Sequence, residues 1–371
     1  YIAPLWKSRE WISGFTGSAG TVVVTLERGG LRTDSRYFIQ AERQLKGSGL
    51  DLYRSFQHET MVEIPAWLLE ELPEGSRVGI DGQIFTQAEV NCLKQTFAKK
   101  NFELVSCPDP MAELWKDRPS LPMGKAEIYD VKYTGERASA RLARLREELA
   151  KLGADSLFVT PLDEIAWVLN VRGTDVAYNP VLISYLLVEP QGATLFVHPE
   201  KCPQAVADYL QSEGVGVAPY GEAFEALSRL EGRRILLQPS KTSMAAFASV
   251  DVDKNEIVAE CSPLSWMKAV RTPVELEGLH RCMIRDGVAL VKFQKWLVEA
   301  VQRGERVTEM SLDRKLYEFR SQQDLFRGES FGTIAGYGAN AASPHYSATP
   351  ETDTQLEARG YLLLDSGGQY L

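Results

Sequence analysis

The chain has 371 residues, 44% of them hydrophobic and 25% charged, which is ordinary for a soluble protein with room for two or three separate cores. A net charge of −9, from 41 Lys and Arg against 50 Asp and Glu, argues against nucleic acid as a main partner, because phosphate binding needs a basic face. Five scattered cysteines without a Cys-x-x-Cys pair imply reduced thiols and a cytoplasmic protein; the longest apolar run, Val181 to Val188, is too short to cross a membrane.

Along the chain, Gly14-Phe15-Thr16-Gly17-Ser18-Ala19-Gly20 has the look of a phosphate loop but lacks the Gly-Lys-Ser/Thr ending. The β-branched run Thr21 to Thr25 follows as a strand, so the glycines are read as close packing at its entrance. A strand at Gly30 to Thr33 leads into a helix over Tyr37 to Leu45. Arg36, at that junction, has two open readings: a pair with nearby Asp34 or a contact to ligand. A strand at Arg77 to Ile80, a helix at Gln87 to Lys99 and a strand at Phe102 to Val105 complete the first unit.

Asp117 to Gly124 is a proline-rich joint. The next helix carries Leu142, Leu145, Leu149 and Leu152 at helical spacing and ends at Gly153. Trp167 is expected in a core. Segments at Thr194 to Val197, Gln204 to Leu210, Arg233 to Leu237, Met244 to Phe247 and Glu256 to Ala259 then repeat the order of the first unit. The offset of about 150 residues is that of two domains of common size. Two similar α/β domains are therefore expected, at residues 1–121 and 125–262. From Arg271-Thr272-Pro273 the pattern changes to helices over Val274 to Val301 and Met310 to Gln323, with strands after them. Residues 263–371 thus read as α+β.

Two residues stand out in that last part. Four apolar residues in a row, Tyr361-Leu362-Leu363-Leu364, carry Asp365 to a buried strand end, before Ser366-Gly367-Gly368. His345 lies in the Pro-held loop Asn340 to Tyr346, whose polar members suit a pocket. A strand-end Asp that only starts a turn, and a surface loop His, are the plain alternatives. Leu364-Asp365-Ser366-Gly367 also matches the aspartic-protease signature, but those enzymes need a second such carboxylate and none is present. Gly336 to Ala341 spells a dinucleotide fingerprint, yet Ser343-Pro344 forbids the helix that it must open. His280 and Cys282 on the long helix face different ways and are not metal spacing.

Taken together, Gly14 to Thr21, Thr33 to Phe38, Leu162 to Trp167, Asn170 to Gly173, Asn179-Pro180, Phe319-Arg320, Asn340 to Tyr346 and Leu364 to Tyr370 resemble the aminopeptidase P family in its three-domain form. The resemblance implies two creatinase-N-like α/β domains, followed by the start of a pita-bread α+β catalytic domain. It implies a metallopeptidase that hydrolyses the N-terminal Xaa-Pro bond of a peptide with proline second, with no nucleic-acid or membrane partner and a homodimeric form when intact. Asp365 matches a ligand of a site for two divalent ions, usually manganese, with the remaining ligands beyond Leu371. His345 matches the substrate-binding histidine at the scissile amide, and Arg36 an arginine that reaches the active site from the N-terminal domain. The residues to Leu371 alone are expected to hold no metal pair, to be inactive, and to leave Tyr361 to Leu371 without partner strands. A non-catalytic peptide- or protein-binding module and a prolidase- or creatinase-type relative are the alternatives.

Overall fold

The structure, a computed structural model, describes residues 2–56 and 63–371. In the first unit, β1 (Thr21–Val24) pairs antiparallel with β2 (Gly29–Asp34), which runs parallel to β3 (Asp51–Ser55). A separate parallel pair is formed by β4 (Arg77–Asp81) and β5 (Glu103–Cys107). Helix Gln87–Phe97 connects that pair, opened by a reciprocal capping box between Thr86 and Glu89.

Residues 127–128 and 171–172 form a short antiparallel pair, β6 (Glu127–Ile128) with β8 (Val171–Arg172). The main sheet of the middle unit has the order β11-β10-β9-β7-β12-β13. Its strands are β7 (Ser156–Val159), β9 (Ser184–Val188), β10 (Ala193–Val197), β11 (Val215–Pro219), β12 (Arg234–Leu236) and β13 (Glu256–Val258). Here β9 is antiparallel to β10, β10 parallel to β11, and β12 parallel to β13. These are the same relations as β1 to β2, β2 to β3, and β4 to β5, so the duplicated strand order is real. The difference lies at the centre. β7 joins the two halves of the middle sheet, whereas the first unit's described strands stay in two sheets.

Leu142, Leu145 and Leu149 of helix Ala138–Lys151 pack on Leu157, Val159, Leu186 and Val188 of this sheet. Each buried leucine contributes about 1.5–3 kcal/mol. Leu152 does not join them: it is half-exposed, because the helix ends there and Gly153, at φ 73°, turns the chain away. Trp167 is in the core as expected. The first two units are joined by backbone hydrogen bonds from Gln87 N–H to Thr242, Ala88 N–H to Pro239 and Met244 N–H to Phe85, each 2.9–3.0 Å.

The third unit opens with the long helix Pro273–Gln302, with Pro273 in its first turn and a capping box between Thr272 and Glu275. Helix Glu309–Ser321 packs beside it around Phe293, Ala300, Leu312 and Leu316. Two antiparallel pairs complete it: β14 (Phe326–Glu329) with β17 (Gly368–Tyr370), and β15 (Ile334–Tyr337) with β16 (Leu362–Asp365). The expectation that Tyr361 to Leu371 lacks partner strands is therefore corrected. The antiparallel return of β14 and β15 supplies ladders for both segments. The buried strand end is corrected too. Leu362 and Leu364 pack on the third core, while Leu363 and Asp365 point outward, as the period-two pleat requires.

Candidate active site

The loop that carries His345 leaves β15 through a 3-10 turn, Gly338–Ala342, which stops at Ser343. It then crosses to the first unit. There the imidazole of His345 stacks on Tyr37, with ring centroids 5.3 Å apart and planes within 13°. Tyr37 is buried, its hydroxyl hydrogen-bonded to Ser18 and its ring set edge-on to Phe15. The Arg36 guanidinium lies 5.3 Å from the centre of the same ring. Arg36 is also bound in bidentate fashion to Asp34, Nε to Oδ1 at 2.8 Å and Nη2 to Oδ2 at 2.7 Å. That bond, first among the causes, raises the arginine's pKa. Of the two readings of Arg36, the structure shows the pair with Asp34, which holds the guanidinium at the Tyr37 ring. The glycine loop explains the fit. A Cβ on Gly17 would fall 2.2 Å from the Phe15 ring and 2.8 Å from Tyr37, so only glycine lets this loop close over the ring.

Beneath the His345 loop sits a residue that sequence reasoning missed. Glu309 is fully buried at the start of its helix. Its carboxylate accepts from Tyr337 N–H at 2.6 Å, Asn340 Nδ2 at 3.1 and 3.2 Å, the Tyr346 hydroxyl at 2.8 Å and Thr354 N–H at 3.1 Å. Asn340 and Tyr346 are therefore turned toward a buried charge rather than lining a pocket. Burial raises the Tyr346 pKa; the bond to Thr352 opposes it and the bond to Glu309 adds to it. An acidic residue after Thr308 reads in sequence as ordinary helix capping. Nothing local says that two loops fold over it.

Asp365 ends β16, exposed, opposite Ile334. The His345 loop leaves the ladder at its other end, where Tyr337 faces Leu362, three residue steps or about 10 Å away. No hydrogen bond or ion pair joins Asp365 to His345 or Arg36. The structure thus sets Arg36 and His345 each against the Tyr37 ring and places Asp365 at the end of the β15–β16 pair away from where the His345 loop departs. The turn after Asp365 is anchored from below. Fully buried Arg320 binds Asp286 in bidentate fashion at 2.8 and 3.1 Å and reaches the Ser366 hydroxyl at 3.2 Å. The Tyr370 hydroxyl donates to Asp286 at 3.1 Å, and burial followed by that carboxylate raises its pKa. The middle unit touches the same turn, where Gln369 donates to the Tyr178 carbonyl.

Among the described residues no three His, Cys, Asp or Glu side chains form a group able to hold a metal ion. One outward carboxylate does not meet the several protein donors that a two-metal centre takes. The donor set described here does not fit such a centre by itself.

Comparison with known proteins gives these elements a context. Residues 5–114 and 117–275 each match the Creatinase/Prolidase N-terminal domain, and residues 277–371 match Metallopeptidase family M24. The chain is 38% identical to "Aminopeptidase P2" of Arabidopsis thaliana over all of its own length and 56% of that protein. It is 35% identical to "Xaa-Pro aminopeptidase 1" of Dictyostelium discoideum, over all of its length and 60% of that relative. The solved X-prolyl aminopeptidase of Caenorhabditis elegans, described as a cytosolic enzyme with a di-nuclear active site, superposes with a TM-score of 0.93. That match has 32% identity and covers the whole chain and 61% of the solved one. The chain thus spans little more than half of the Arabidopsis relative and about three-fifths of the other two.

Proposed function

We propose that this chain, a member of metallopeptidase family M24 with two creatinase/prolidase N-terminal domains before its M24 residues, serves in an Xaa-Pro aminopeptidase. The observation that carries the reading is the end-to-end likeness, in sequence and in fold, to proteins so named. Domain bounds of 1–121, 125–262 and 263–371 belong to the reading, as does one cavity shared by His345 and Asp365.

In this reading His345 hydrogen-bonds the substrate at the scissile amide, and Arg36 contacts the peptide from the N-terminal domain. The imidazole is stacked on Tyr37 and exposed, which suits a ring that meets a ligand. Asp365 is one ligand of a pair of divalent ions, manganese by preference since carboxylates are hard donors. Their other ligands are not among the described residues. A peptide with proline second as substrate, a homodimeric state and a cytoplasmic location complete the proposal. No helix among the described residues is long and apolar enough to cross a membrane.

The test is cleavage of an Xaa-Pro peptide by the full-length polypeptide in added Mn²⁺. His345→Ala should lower kcat on the order of 100-fold with little change in KM, as for the loss of an oxyanion donor. A metal-loaded full-length protein that binds such peptides without cutting them would overturn the reading in favour of a binding module.

A further inference from the structure

We infer that Tyr37 is a positioning residue for His345, so that the substrate site is assembled from the first and third domains. The inference rests on the proposed role of His345. Among the described residues neither nitrogen of the His345 ring has a hydrogen-bond partner, and the stack on Tyr37 is the contact that orients the imidazole. The platform itself is rigid. Tyr37 is tied at its hydroxyl to Ser18, braced edge-on by Phe15, overlain by Arg36 and closed in by Gly17, which has no room for a side chain. Beneath the loop, Glu309 fixes the backbone on both sides of His345 but touches no atom of its ring. Backbone placement and ring orientation therefore have different sources, one in each domain. A site that must hold a donor within a fraction of an ångström needs both.

The role predicts a pattern that mere packing would not produce. In the full-length polypeptide assayed on an Xaa-Pro peptide, Tyr37→Phe should lower kcat less than Tyr37→Leu, since the ring remains although its hydroxyl tie to Ser18 is lost. Tyr37→Leu should lower kcat up to about tenfold, the scale of one aromatic pair, with KM little changed. Tyr37→Leu should add no further loss in a His345→Ala background. Independent, multiplying losses would overturn the inference. An unchanged kcat for His345→Ala would instead remove the proposed role of His345. A readout without activity separates the two. In the NMR spectrum of the 371-residue chain, the His345 Cε1 proton, assigned by its loss in His345→Ala, should lie upfield of its position in urea. It should move back in Tyr37→Leu and stay in Tyr37→Phe. A wild-type signal already at the denatured position would overturn the stack whatever the variants do.

Discussion

Glu309 shows how one buried charge can organise a loop. Five donor contacts on a single carboxylate offset its desolvation, and removing it would strand several of those donors in the interior. Glu309→Gln should cost about 2–3 kcal/mol in urea unfolding, because an amide presents hydrogens to groups that already donate. Amide exchange in residues 338–354 should rise with it. A loss below about 0.5 kcal/mol would mean that the contacts do not hold the loop. Glu329 is the opposite case. Burial first, then the nearby Asp313 charge, pushes its carboxyl pKa up. A raised folded value means that its contribution to stability is present below the unfolded value of about 4.3 and is lost as pH rises through the folded value. Glu329→Gln should therefore raise Tm at neutral pH, and the gain should vanish below about pH 4. Thermal scans at the two pH values check the sign.

At the scale of elements, the helices were legible because their ends are written locally. Thr272-Pro273 with Glu275, and Thr86 with Glu89, are capping signals that need no tertiary contact. Thr272→Ala should cost about 1 kcal/mol, measured by denaturant titration. The third unit's strand pairs were not legible: β14 and β15 are short, interrupted by glycine, and separated from their partners by the His345 loop. What ties that region is the Arg320 and Asp286 pair, drawn from two helices and from residues 34 apart. Arg320→Met should destabilise by about 3–5 kcal/mol, because it strands the Asp286 carboxylate and frees Ser366. A small change in calorimetry would show that the turn after Asp365 does not depend on that anchor.

At the scale of the whole molecule, the long helix Pro273–Gln302 presents Leu276, Leu279, Met283 and Val291 to solvent at helical spacing. A continuous apolar row of this kind favours association. The chain of 371 residues should self-associate in sedimentation, and Leu279→Lys with Met283→Lys should reduce it. An unchanged monomer in both would leave the row without that consequence.

By itself the sequence determined the duplicated α/β order, the change to α+β near Pro273 and the helix ends. All of these are written in periodicity, capping and short motifs, which act within a few residues. Only the tertiary structure decided that Tyr37 meets His345 from another domain, that Asn340 and Tyr346 serve a buried Glu309, and that Leu363 and Asp365 face outward. Contacts between residues hundreds of positions apart depend on how the cores stack and on which polar groups must be satisfied there. Local pattern carries no record of either.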